Sequence, residues 1–285
     1  FRRFGARALV AVAVAIMALN AALRVADVEE ARGLEAAWEA AQVAAAAGLP
    51  APDPAAVTAW EKVEARARPR PDDPALRESI RVTAEGSLGE FWRERAKTSL
   101  ILQTVVALNA WLLDALAAMF LGMAALKAGW LTQPWSRRGL AALVVAGYGI
   151  GLPLSLAETL ALLRTGFDPI VDKQYLVPYD LRRLAMAAGH LGVILWVVQY
   201  SGWRALVVRL AAVGRMALTN YLAQSVLCGL VFYTVGLGLF GRFTGAWLYL
   251  VVAGVWALQL AWSPWWLARQ PFGPAERLWR TLTYR

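Results

Sequence analysis

The stretches MALTNYLAQSVLCGLVFYTVGLGLFG (216–241) and FTGAWLYLVVAGVWALQLAWSPWWLA (243–268) contain no charged residue, and only Arg242 separates them. A helix needs about 20 apolar residues, at 1.5 Å each, to cross roughly 30 Å of hydrocarbon. Both runs satisfy that length. Working toward the N-terminus, residues 184–200 are apolar around the sole histidine, His190, and 139–163 are interrupted only by Glu158. Residues 98–126 are interrupted only by Asp114, and 8–23 are uncharged between Arg7 and Arg24. The last run is short for a span, but flanking arginines can snorkel to the surface. No clear A-x-A site follows it, so a spanning helix is the better reading than a signal peptide. The pattern predicts an all-α polytopic membrane protein with about six transmembrane helices in this chain.

Composition agrees. Of 285 residues, 59% are hydrophobic and 17% charged, and mean hydropathy is +0.47. These values exclude a disordered chain and argue against an ordinary water-soluble enzyme. The net charge of +9 does not indicate a nucleic-acid partner, because the basic residues punctuate apolar runs instead of gathering on a polar domain. The implied partner is the lipid bilayer. One cysteine, Cys228, lies inside an apolar run, which leaves neither a disulfide framework nor zinc-ligand spacing. Arginine far outnumbers lysine, 25 to 4, a skew that fits a GC-rich bacterial genome. The chain begins at Phe1, and we expect it to be a piece of a longer protein.

Charge distribution sets an expected orientation. Loops 1–7, 127–138, 201–215 and the tail 269–285 carry thirteen Lys/Arg and one acid, Glu276. Segments 24–97, 164–183 and 242 carry sixteen basic and seventeen acidic residues over about twice the length. The positive-inside rule places the first set in the cytoplasm. Trp130, Trp135, Trp203, Trp247, Trp262, Trp265, Trp266 and Trp279 cluster near expected span ends, as interfacial aromatics do. Three regions are therefore expected: a first transmembrane helix within 1–23, a helical extracytoplasmic cap over 24–97, and a transmembrane domain over 98–285 whose tail begins at 269. Within the cap, Asp53-Pro54 and Asp73-Pro74 each read as an N-cap followed by proline at the first helical position. Pro69-Arg70-Pro71 and Gly86-Ser87 read as breaks.

No Walker loop, dinucleotide fingerprint, HExxH or paired Cys/His set is present, and no metal is expected. The chemistry rests on polar residues inside the membrane, which usually face a cavity or a partner because charge there is costly. Asp114, Glu158 and His190 are the catalytic candidates. Glu158 and His190 sit at similar depth, where a pair is geometrically possible and can relay a proton. Each can equally be a helix-packing hydrogen-bonder. On the fifth run Asn220, Tyr221, Gln224 and Cys228 share one helical face. That stripe reads as a polar cavity wall or as interhelical amide bonding, and spacing does not separate the two. In the tail, Gly273-Pro274 opens a short amphipathic helix, with Glu276 and Arg280 four residues apart. Arg215, Asn220, Tyr221, Gln224, Glu276 and Arg280 are the candidate ligand-binding residues, and Arg215, Arg277 and Arg280 are suited to hold a phosphate-bearing ligand on the cytoplasmic side.

GRMALTNYLAQS at 214–225, Phe232-Tyr233 with Gly236-Leu237-Gly238-Leu239, and GPAERLWRTLTY at 273–284 together resemble the C-terminal signature of the YeiB-like family. That is a bacterial inner-membrane family built around a domain of unknown function. GSLGEFWRER at 86–95 resembles its G-S-x-x-E…R element, carried here by Gly86, Ser87, Glu90 and Arg95. The resemblance implies a multi-pass protein of the bacterial cytoplasmic membrane with further spans upstream. More distantly the family resembles membrane acyltransferases of the cell envelope. These pass an acyl group from cytoplasmic acyl-CoA, through a membrane-embedded histidine, to an extracytoplasmic lipid or sugar acceptor. His190 does not match that histidine's place in the chain. Three readings stay open: acyl transfer, a small-solute transporter with Asp114, Glu158 and His190 as a proton or cation relay, and a non-catalytic membrane scaffold.

Overall fold

A computed structural model describes residues 4–68, 73–243 and 245–284. Among these the chain is all-helical, and local sequence explains where the helices start. Asp53, Asp73, Ser136 and Asp168 each cap a helix by accepting backbone N–H groups of the first turn. Proline follows three of them, at the first helical position, where its missing N–H leaves no bond unmade. The chain divides into two compact units, Phe1–Arg70 with Leu102–Gln199, and Pro71–Ile101 with Tyr200–Arg285.

The first unit contains α1 (Ala6–Ala46), α2 (Pro54–Ala67), a π-helical segment (Leu102–Trp111), α5 (Leu112–Lys127), α6 (Arg137–Thr165), α7 (Pro169–Leu176) and α8 (Tyr179–Tyr200, which ends one residue past the unit). The expected boundary at residues 23 and 24 falls inside α1, which continues unbroken for 41 residues. No helix breaker lies between Arg24 and Ala46 except Gly33, and the stretch is rich in Ala and Glu, both strong helix formers. Beyond the apolar part of α1, Ala31 packs with Trp60 and Ile170, flanked by Leu34, Trp38 and Val63. That small apolar core ties α1, α2 and α7 together.

Helices α6 and α8 approach so closely that glycine is required where they cross. A Cβ on Gly147 would strike the backbone of Gly189 and lie 2.7 Å from the Ala185 carbonyl oxygen. A Cβ on Gly192 would lie 2.7 Å from Val144. Small residues that let backbones meet are the means by which helices associate in lipid, where apolar burial alone gives no preference.

The second unit contains α3 (Pro74–Glu85), α4 (Leu88–Ile101), α9 (Arg204–Arg215), α10 (Ala217–Phe232), α11 (Trp247–Leu267) and α12 (Pro274–Thr283). The segment 24–97 is thus shared between the units. Its expected break at 69–71 lies outside the described residues, whereas the break at Gly86-Ser87 separates α3 from α4.

Among the described residues four helices, α1, α6, α8 and α11, are long and apolar enough to cross a membrane, and counting each bent helix pair as one span raises this to six. The chain is a multi-pass membrane protein. The run 216–241 is not one straight helix, however. Helix α10 ends at Phe232, and it joins α9 at a bend of 82°. Past Tyr233 the backbone folds back, so that Leu237, Leu239 and Phe240 donate to the carbonyls of Leu230, Val231 and Phe232. Gly238 turns there at φ +60°, a conformation that glycine enters at little cost. The return strap satisfies carbonyls that the helix end would otherwise leave bare, a necessity wherever water is scarce.

Candidate functional site

The first unit carries the richest cluster of charge. Because α8 begins at Tyr179, Asp180, Arg182 and Arg183 occupy its first turns and are not loop residues. Arg183 donates to Asp114 Oδ2 at 2.7 Å and to Asp180 Oδ1 at 3.0 Å. Asp180 is buried, and its other oxygen lies 3.5 Å from the amide nitrogen of buried Asn20 on α1. Arg182 pairs with Glu158 of α6. Arg24 of α1 donates to the carbonyl of Leu176 and lies over the Tyr179 ring, 4.7 Å from its centroid. Lys173 holds Asp27 at 2.6 Å.

Beside this network lies a cavity of about 460 Å³, lined by Asn20, Arg24, Asp27, Trp111, Asp114 and Tyr179 among others. Among the described residues, two buried side-chain atoms of the cluster have no hydrogen-bond partner: Asp114 Oδ1, an acceptor, and Arg183 Nε, a donor. A buried polar group left unpaired costs roughly 1–3 kcal/mol, so each marks a place where a further polar group belongs. No group of three or more His, Cys, Asp or Glu side chains suited to a metal occurs among the described residues.

The three catalytic candidates do not converge. Asp114 sits on the cavity wall, while Glu158 is engaged by Arg182. His190 is exposed, with Nδ1 2.7 Å from the Met186 carbonyl and its ring edge-on to Tyr148. The contacts of Glu158 and His190 thus go to different partners. Asn20, Arg24, Tyr179, Asp180, Arg182 and Arg183 join the site without having been singled out by sequence. Pro178, directly ahead of Tyr179-Asp180, is the signal that was available: proline before a capped apolar run marks a helix start.

In the second unit the candidate ligand-binding residues, Tyr221 apart, are engaged in internal contacts. Asn220, 3% exposed, donates to the Val213 carbonyl and to Ser263 Oγ, both at 3.1 Å. Its side-chain oxygen accepts from Trp262 Nε1 at 2.9 Å, and its backbone carbonyl accepts from Gln259. Gln224 donates to Gln259 in turn. One asparagine therefore joins α9, α10 and α11.

At the same corner, Thr219 donates its N–H and its hydroxyl to the two carboxylate oxygens of Glu276, at 3.0 and 2.5 Å. Thr219 Oγ1 accepts from Ala275 N–H, which seats α12 against the first turn of α10. Burial pushes the Glu276 carboxyl upward, but the hydrogen bonds from Thr219 and from nearby backbone N–H groups outweigh it, and its pKa lies below the usual 4.5. Arg215 donates to the Pro271 carbonyl, and Arg280 stacks over Phe272 at 4.2 Å. Tyr221 is exposed.

The 86–95 element resolves into two physical devices. Ser87 and Glu90 form a reciprocal capping box at the start of α4. Arg95 lies 4.2 Å over the Tyr233 ring, and Thr234 donates to the Gly86 carbonyl at 2.6 Å. The 86–95 and 232–239 motifs are packed against each other, as are the 214–225 and 273–284 motifs.

Comparison with known proteins fits this arrangement. Residues 125–285 match the family model described as "Protein of unknown function (DUF418)". Uncharacterized protein YxaH of Bacillus subtilis (strain 168) is 30% identical over 217 residues, covering 73% of this chain and 51% of that protein. Uncharacterized protein YeiB of Escherichia coli (strain K12) is 36% identical over 174 residues, covering 59% and 43% respectively. The chain thus spans about half the length of the curated relatives it matches. No solved structure matches. The family match takes in α6 to α12 and both paired signature motifs at 214–225 and 273–284, and on that ground the chain belongs to the DUF418 family of proteins of unknown function, to which YeiB-like proteins are its relatives.

Proposed function

We propose that this chain forms part of a bacterial inner-membrane protein that moves an acyl group from a cytoplasmic donor to a hydroxyl-bearing acceptor of the cell envelope. In this reading the Asp114 cavity receives the acceptor. One observation carries it: Asp114, which lines a cavity large enough for a small polyol or sugar unit, has a buried carboxylate oxygen with no hydrogen-bond partner. Arg183 holds the other oxygen and fixes the carboxylate's orientation. An acceptor hydroxyl that reaches Oδ1 would surrender its proton there as its oxygen attacks the acyl carbonyl; the acyl–donor bond then breaks, and the donor's sulfur or oxygen leaves with the electron pair and takes up a proton. Trp111 supplies a flat apolar wall, and Asn20 and Arg24 supply further polar contacts.

The positive-inside balance supports an orientation with the tail in the cytoplasm. By the same balance loop 127–138 is cytoplasmic, so the start of α8, across α6 from that loop, faces outward, where an envelope acceptor is found. The residues suggested for the donor are used in internal bonds, apart from exposed Tyr221, so we assign the donor site to no residue of this chain. Solute transport is the second reading, favoured by the Arg183–Asp114–Asp180 network placed at the ends of apolar helices.

One experiment separates them. A deletion strain is complemented with the whole gene, as wild type or Asp114→Asn, and its envelope lipids and glycans are weighed by mass spectrometry. Loss of an acyl mass increment in the deletion, restored by wild type and not by Asp114→Asn, is expected. An unchanged acyl complement with altered solute uptake would establish transport instead. Full restoration by Asp114→Asn would remove the role given to this carboxylate.

A further inference from the structure

Helices α9 and α12 adjoin the same end of α10, where Arg215 of α9 donates to the Pro271 carbonyl ahead of α12. Thr219 is the third residue of α10, and its bonds to Glu276 hold α12 at that level. Helix α11 ends at Leu267, and the Trp266 indole donates to the Phe272 carbonyl just ahead of α12. Helix α9 turns away from α10 by 82°. If α10 runs across the bilayer, α9 therefore lies along its surface, and α12 is held at the same depth, that of the headgroups.

Their faces match that location. On α12, Leu278, Trp279 and Leu282 fall on one side and are each more than 60% exposed. The Glu276 bonds lie on a different side of the same helix. On α9, Trp203 at the cap, Leu206 and Leu210 recur at helical spacing and are exposed as well. Around these apolar stripes stand Arg204, Arg209, Arg277 and Arg280, all exposed. The one acid on either helix, Glu276, is occupied by Thr219. Two short helices with apolar stripes and basic flanks suit a phospholipid interface, where the apolar face sinks into the acyl boundary and arginine meets phosphate.

We propose that α9 and α12 form an interfacial platform that binds anionic phospholipid headgroups at this end of α10 and α11. This inference is independent of the Asp114 cavity. Its test uses the full chain reconstituted in vesicles of phosphatidylcholine with and without phosphatidylglycerol. In a Cys228→Ser background, an environment-sensitive dye is attached at Leu282→Cys or, on the polar face, at Thr281→Cys.

The dye at 282 is expected to shift to the blue and to be quenched by lipids spin-labelled in the acyl chain, while the dye at 281 responds to aqueous iodide. Phosphatidylglycerol is expected to raise the melting temperature, and Arg209→Gln with Arg277→Gln to abolish most of that gain. Iodide quenching at 282 would overturn the proposal. Protection of 282 from both quenchers would also overturn it, since another protein surface would then cover α12. A phosphatidylglycerol effect equal in the arginine variant would overturn the headgroup assignment.

Discussion

The two units use polar side chains in opposite ways. In the second, Asn220 spends both donors and its acceptor on protein partners, and Gln224 and Gln259 extend the chain of bonds. In the first, Arg183 bridges two carboxylates yet leaves its Nε and Asp114 Oδ1 unpaired beside a cavity. A closed network can only hold helices together. An open one of similar composition retains the capacity to bind. The contrast locates the candidate site in the first unit, although the recognisable sequence signature lies mostly in the second.

The largest effect that would sharpen the contrast is expected at Asn220. Asn220→Leu strips partners from the Val213 carbonyl, Ser263 and Trp262 at once. With roughly 1–3 kcal/mol for each buried group left unpaired, the loss should exceed about 3 kcal/mol of stability. Gln224→Leu leaves a single buried group, the Gln259 side-chain oxygen, without its donor, which by the same rule costs roughly 1–3 kcal/mol. Denaturant titration in micelles should therefore rank Asn220→Leu, with three groups stripped, below Gln224→Leu, with one. Equal stabilities would mean that Asn220 is not the knot.

A smaller and different response is expected from the first unit. Arg183→Met leaves Asp114 and Asp180 facing each other without a cation, and removing one member of a buried pair costs at most about 3–5 kcal/mol. Arg183 retains about a quarter of its exposure, so about 1–3 kcal/mol is the expected loss. Asp114→Asn keeps the shape and one hydrogen bond and should cost about 1 kcal/mol, while abolishing the function tested in the complemented strain. Stability would then report the cation and function the carboxylate. If Asp114→Asn unfolds the unit instead, both networks are structural and the contrast fails.

The membrane class was plain from uncharged runs, because the cost of charge in lipid leaves so conspicuous a trace. The helix ends were less legible. The run 216–241 has the composition of one span, but Tyr233 and the glycines beyond it turn the backbone, and hydropathy is blind to a return strap. The candidate site was half visible. Asp114 stood out as a lone acid in an apolar run, whereas Arg182 and Arg183 looked like ordinary loop basics because the run seemed to start at 184. Their carboxylate partners lie on α5 and α6 as well as on the same helix turn, and pairing across helices has no local spacing. The G-S-x-x-E element was legible as a pattern, but only the hydrogen bonds identify it as a capping box.

The smallest effect tests the seam within the second unit. Glu276 has its pKa lowered in the folded protein by the bonds from Thr219 and backbone, against the opposing effect of burial. A lowered folded-state pKa adds stability above the unfolded value of about 4.5, and that contribution disappears as pH falls through the lower folded value. Docking of α12 should therefore be insensitive to pH from 8 down to about 5 and weaken only under more acid conditions. Hydrogen exchange across 274–283 in micelles can follow it. Thr219→Ala removes the hydroxyl donor but keeps the backbone N–H, so the transition should move upward toward 4.5 without vanishing. Glu276→Gln should hold α12 loosely at every pH and erase the transition. A transition that survives in Glu276→Gln would belong to another titrating group, and Glu276 would not be what couples α12 docking to pH.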